Sequence, residues 1–144
     1  MKSIPLLGRI LFVVIFVMSS FGHFSSESIG FAAAQGVPMA GVLVPLSGIM
    51  ELIGALSILF GYKARWGAWL IVLFLLPVTF TMHTFWKVQD PMMARMDMVM
   101  FMKNLSMVGA ALIIAYFGTG PLSLDRRGGL AGQADLNRSE PSGA

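Results

Sequence analysis

Four stretches of nearly unbroken apolar residues run along this chain, and the Gly, Pro and charged positions gather in the short segments between them. Residues 5–24, 41–61, 66–85 and 98–117 each approach the ~20 residues that a helix needs to cross a hydrocarbon core of about 30 Å. The pattern predicts an all-α membrane protein, a four-transmembrane-helix bundle. Pro5 suits the first turn of its helix, where a missing N–H is no loss. Residues 25–40 hold no Lys or Arg, and Phe31-Ala32-Ala33-Ala34-Gln35 predicts one or two interfacial turns before Gly36-Val37-Pro38 stops them. Pro77 interrupts the third stretch and frees the carbonyl of Leu73, inviting a kink or a polar partner. Residues 87–97 read as a short polar loop. The tail, 126–144, is rich in Gly, Ser and charge and is expected to be disordered.

Composition agrees with the pattern, since a chain of 144 residues with 56% hydrophobic and 12% charged residues does not describe a soluble domain. Cysteine is absent, which excludes disulfides, thiolate metal sites and cysteine nucleophiles. A net charge of +3, scattered along the chain, disfavours a nucleic-acid surface. Residues 1–24 also admit a cleaved signal peptide. Arg9 inside the run, and the lack of a small-x-small site soon after Phe24, favour a retained helix.

Charge serves topology instead. With the N-terminus inside, Lys2, Arg9, Lys63, Arg65, Arg126, Arg127 and Arg138 lie at the cytoplasmic face, against Lys87, Arg95 and Lys103 outside. The excess of basic residues inside predicts that both termini are cytoplasmic.

Ionisable residues within membrane-grade sequence are costly, by about 2.5–3.5 kcal/mol at a helix centre, and mark candidate function. Gly41, Gly48 and Ala55 recur every seven residues, and Glu51 falls among them, facing the bundle. His23 and His83 end the first and third helices at the outer face. Arg9, Phe16 and His23 share a stripe. Glu51 and Lys103 are the expected intramembrane ion pair, with Asn104 beside it and the two imidazoles above. His83 and Trp86, three residues apart, are expected on one helix face. Each group also has a structural reading, as an interface anchor or as a polar clasp that fixes helix register.

The ordered set Gly8-Arg9, Phe21-Gly22-His23-Phe24, Gly36-Val37-Pro38, Glu51-Leu52-Ile53-Gly54, His83-Thr84-Phe85-Trp86, Lys103-Asn104-Leu105 and Gly120-Pro121-Leu122-Ser123-Leu124-Asp125 resembles the DoxX family of small bacterial inner-membrane proteins, over roughly residues 6–127. The resemblance implies four transmembrane helices in the bacterial inner membrane. It also implies a redox association, because the family takes its name from a membrane subunit of a thiosulfate:quinone oxidoreductase. This chain has neither the soluble domain nor the cysteine that sulfur chemistry calls for.

The functional expectation is therefore a membrane subunit or anchor of a redox system, more a non-catalytic subunit than an enzyme alone. Its outward-facing polar pocket would receive a quinone or a small acid, with His23, His83 and Trp86 touching the ligand. Glu51, Lys103, Asn104 and Arg9 would set the charge around it. The alternatives are a proton-coupled carrier using Glu51 and a structural subunit that binds a partner. Besides the bilayer, a redox subunit or a second copy of the chain is the expected partner. Haem on the paired histidines, and Cu(I) on Met92, Met93, Met96, Met98, Met100 and Met102, are disfavoured. Phosphate loops, a nucleophile elbow and zinc-ligand spacing are absent.

Overall fold

The computed structural model describes residues 3–126, so the tail expected to be disordered lies, beyond Arg126, outside the described residues. Five α-helices follow in order: α1 (Ile4–Gly22), α2 (Ser26–Ala34), α3 (Ala40–Phe60), α4 (Ala64–Met82) and α5 (Pro91–Phe117). A single 3₁₀ turn, Phe85–Lys87, joins α4 to α5. Four of the helices, α1, α3, α4 and α5, are long and apolar enough to cross a membrane. The short α2 packs on α3.

Helix α1 packs on α3, α3 on α4, and α4 on α5. Their shared core includes Val13 and Phe16 of α1, Ala55 and Ile58 of α3, Ile71, Phe74 and Leu75 of α4, and Val108 and Ala111 of α5. On α1 the buried residues are Arg9, Val13, Phe16 and Ser20, a stripe with helical spacing. The remaining faces present large apolar side chains such as Leu11, Met18, Leu73 and Ile113, as lipid contact requires.

Small residues decide how closely the helices approach. A Cβ on Gly48 would stand 2.7 Å from the Cβ of His23 and 3.0 Å from the carbonyl oxygen of Ser20, so α1 and α3 meet there at backbone distance. Between α3 and α4 the same role falls to Gly54 and Gly67, where a Cβ on either would lie 2.9 Å from the other's carbonyl oxygen. Gly41 faces open space, so the seven-residue repeat marks the contact face only from Gly48 onward.

The chain ends differ from the expected boundaries in two places. Helix α5 begins at Pro91, about two turns before the apolar run does, and takes in Arg95 and Asp97. Asp90 caps it by accepting a bond from Met93 N at 2.8 Å, and proline occupies the first turn. Residues 87–97 are thus largely helix. Helix α4 stops at Met82, and His83 leaves helical geometry with φ −117° and ψ 64°. The expected turns after residue 25 are α2, capped by Ser25, whose hydroxyl accepts from Ser28 N at 3.2 Å.

At the end of the bundle opposite α2, here termed basal, the α3–α4 turn and the segment after α5 are stitched together. Gly61 closes α3 in the left-handed region at φ 64°, with Tyr62 N donating to Ser57 O at 3.0 Å. Asp125 then caps α4 from a distance, its two carboxylate oxygens accepting from Lys63 N at 2.8 Å and Ala64 N at 3.2 Å. Its own N–H donates to Gly61 O at 2.9 Å.

Candidate functional site

Antiparallel helices α1 and α3 exchange polar contacts crosswise at the α2 end. Ser19 and His23 stand four residues apart on α1, and Ser47 and Glu51 four apart on α3, so each pair lies on one face. Because the helices run in opposite directions, Ser19 meets Glu51 and Ser47 meets His23. The Ser19 hydroxyl donates to Glu51 Oε1. Ser47 Oγ lies 2.9 Å from His23 Nδ1. On the diagonal, His23 Nε2 stands 3.6 Å from Glu51 Oε2.

The bonds of Ser47 assign the imidazole tautomer. Its hydroxyl proton is committed to Val44 O at 2.7 Å. Its oxygen therefore accepts from Nδ1–H, and Val44 O, 3.3 Å from the same nitrogen, adds a second acceptor. The proton sits on Nδ1, which turns the Nε2 lone pair of a neutral ring towards Glu51. A protonated Glu51 would complement that lone pair, whereas a carboxylate would oppose it. At 3.6 Å the two atoms are beyond hydrogen-bond distance, and Oε2 has no other partner. Glu51 itself is 1% exposed. The imidazole rests on the ring of Phe74, with centroids 5.5 Å apart, and Gly48 makes room for it.

His23 also forms part of the wall of a cavity of about 740 Å³ enclosed by α2, the following loop, α3 and the end of α4. Its lining is chiefly apolar, including Phe31, Val37, Leu43, Val44, Val78 and Met82, with Ser28, Gln35, Ser47, Thr81 and His83 interspersed. Among the described residues Glu27 is its one acid, and no Lys or Arg lines it. Pro77, which removes a backbone donor from α4, is on the wall, and Thr81 Oγ1 donates to the Pro77 carbonyl at 2.8 Å. His83 reaches the cavity from the α4 terminus, its Nδ1 3.0 Å from Asp97 Oδ1 of α5. Volume, apolar lining and a few convergent polar groups suit a small organic ligand.

Three expected site residues are elsewhere, and one is buried away from the cavity. Lys103 is exposed, its Nζ 3.4 Å from Met100 Sδ, and the Glu51–Lys103 ion pair does not form. Neighbours on a helix point about 100° apart, so only one of Lys103 and Asn104 can face inward, and Asn104, 5% exposed, does. Asn104 is not among the residues lining the cavity. Trp86 does not share a helix face with His83, because α4 has already ended. It packs edge-on against Phe85 at 5.0 Å and Phe101 at 6.0 Å. Arg9 is on the buried stripe with His23 but fourteen residues away, roughly 21 Å at the helical rise. It lies at the basal end, where its Nη2 donates to Leu122 O at 2.7 Å. The six methionines near the start of α5 are all exposed.

Ser19, Ser47 and Asp97 were not singled out by sequence. For the two serines the available signal was the repeated spacing, a serine four residues ahead of His23 and another four ahead of Glu51.

Comparison with known proteins places these features in a family. The family model for DoxX matches residues 4–84, from the start of α1 to just past α4. Inner membrane protein YphA of Escherichia coli K12 is 31% identical over 124 residues, 85% of this chain and 88% of the relative. Inner membrane protein YqjF of the same strain is 32% identical over 123 residues, 84% of this chain and 88% of the relative. No solved structure matches the chain significantly. With four apolar helices of spanning length and these relatives, the chain is a multi-pass inner-membrane protein and belongs to the DoxX family.

Proposed function

We propose that the cavity beside His23 receives the head group of a quinone, and that the protein serves a quinone-linked redox system as its membrane subunit. The observation that carries this reading is the buried Glu51 carboxyl, 3.6 Å behind the half-buried His23 of the cavity wall. Quinone chemistry moves protons together with electrons, and a carboxyl one imidazole removed from the ligand is a reserve from which a proton can be lent or recovered. The hydroxyl of Ser28 and the side-chain amide of Gln35, whose protons are given to no other group among the described residues, are suited to donate to the carbonyl oxygens, while Phe31, Val37 and Val78 cover the ring. The absence of Lys and Arg from the wall weighs against the small acid, whose carboxylate would be left without a countercharge. The excess of basic residues at the basal end supports an orientation with the cavity facing the periplasm.

The test is quinone content. Protein purified in mild detergent is expected to retain quinone detectable by mass spectrometry of its extract, and to be stabilised by added short-tail quinone. Thr81→Phe, which fills the cavity from an exposed position of α4, should remove both effects while leaving the yield of folded protein intact. Failure of the wild type to retain quinone or to respond to it would overturn the reading.

The same Glu51–His23 pair suits a second reading, a proton-coupled carrier of a small neutral solute. Uptake into vesicles driven by a pH gradient and lost in Glu51→Gln would favour that reading.

A further inference from the structure

We infer that the basal end of the bundle holds the phosphate head group of an anionic phospholipid, with an acyl chain lying along the α3–α4 groove. The proposal is independent of the cavity near His23. It begins with Arg9, which is 3% exposed and whose Nε and Nη1 are buried without a partner. Its one side-chain bond among the described residues, to a neutral carbonyl, leaves the charge unmatched there. A buried cation calls for an anion, and the nearby carboxylate, Asp125, is already engaged with the first N–H groups of α4.

Next to Arg9 is a cavity of about 500 Å³ lined by Lys63, Arg65, Arg126, Thr119 and Ser123, with the engaged Asp125 also on its wall. Arg9 adjoins it through shared neighbours. A Cβ on Gly61 would stand 2.5 Å from Arg9 Nη1 and 2.9 Å from Thr119 Oγ1, and would also clash with Ser123. The unpartnered Nη1 therefore lies close to Thr119 and Ser123 of the cavity wall. Arg65 reaches over the segment after α5, its Nε 3.8 Å from where a Gly118 Cβ would be. Four basic residues thus surround one acid whose charge is offset by a helix N-terminus.

A lipid, rather than a free anion, is indicated by what lies alongside. Lys63 and Trp66 also line a second, apolar cavity of about 580 Å³ along α3 and α4, with Ile53, Leu56, Phe60 and Leu70. A polar basic chamber and an apolar groove that share two residues match the two halves of a phospholipid. Trp66, 74% exposed, stands at their junction as interfacial tryptophans do. Basic pockets between transmembrane helices bind anionic head groups.

The full chain in mild detergent is to be titrated with dioleoyl phosphatidylglycerol, dioleoyl phosphatidylcholine or inorganic phosphate, with lipid retention read by native mass spectrometry and stability by thermal unfolding. Phosphatidylglycerol should be retained preferentially and raise the melting temperature. The preference should fall about fivefold for each charge removed in Arg65→Gln and Arg126→Gln, both exposed positions that leave the fold intact. Arg95→Gln, at the opposite end, should leave it unchanged. Equal retention of the two lipids, an equal loss in Arg95→Gln, or full stabilisation by inorganic phosphate alone would overturn the proposal.

Discussion

At the level of single residues, the polar exchange between α1 and α3 turns on hydrogen-bond donors that have nowhere else to go. Ser47→Ala would remove the acceptor that holds His23 Nδ1–H, leaving Val44 O at 3.3 Å as its replacement. The expected loss is about 1 kcal/mol of stability in detergent unfolding, together with weaker quinone retention; unchanged stability would mean that the ring is held by packing alone. Lys103 offers the contrasting case. Lys103→Met should change stability by no more than about 0.5 kcal/mol, and its effect should add to that of Glu51→Gln, since the two side chains do not meet. A double-mutant cycle with coupling above about 1 kcal/mol would restore the ion pair. Glu51, expected to face the bundle because it falls among small residues, is buried, and His23 continues the buried stripe of α1 at its end. The sequence could not choose between Lys103 and Asn104, where one step along a helix separates bilayer from core. Arg9 and His23 share a stripe, but a stripe fixes direction around a helix and not depth along it, and the structure keeps Arg9 at the basal end.

Helices were legible wherever hydrophobicity alone set their limits, as for α1 and α3. Where a cap sets the limit the apolar run misleads: Asp90-Pro91 starts α5 ahead of its apolar stretch, and His83 ends α4 while aromatic residues continue. Helix contacts rest on glycines, and these give the strongest predictions at this scale. Gly48→Ala places a methyl group 2.7 Å from the Cβ of His23, which should separate α1 from α3 at a cost of about 1–3 kcal/mol and reduce quinone retention with it. Gly41→Ala, facing open space on the same helix, is the control and should be neutral or slightly stabilising. Asp125→Ala removes the cap of α4 and should cost about 1 kcal/mol in thermal or denaturant unfolding.

For the whole molecule, orientation is the property on which the proposed use of each end depends. Cysteines at Ser26 and Gln89, both exposed near α2, should react with an impermeant reagent in intact cells, and a cysteine at Tyr62, in the basal turn, should not. The opposite labelling would invert the bundle and put the cavity beside His23 in the cytoplasm. The basal stitch bears on how the bundle is made. Arg9 enters the membrane with the first helix, yet the carbonyl that receives it belongs to Leu122, 113 residues later in the chain. At the usual ~5–20 residues per second of synthesis, that guanidinium waits roughly 6–23 seconds for its partner. Through that interval α1 must remain near the water interface or lean on the insertion machinery, so its final depth is set only when the last described segment emerges. A nascent chain halted after Phe117 should therefore hold four helices but leave the first one loosely seated, open to a membrane protease that the finished protein resists.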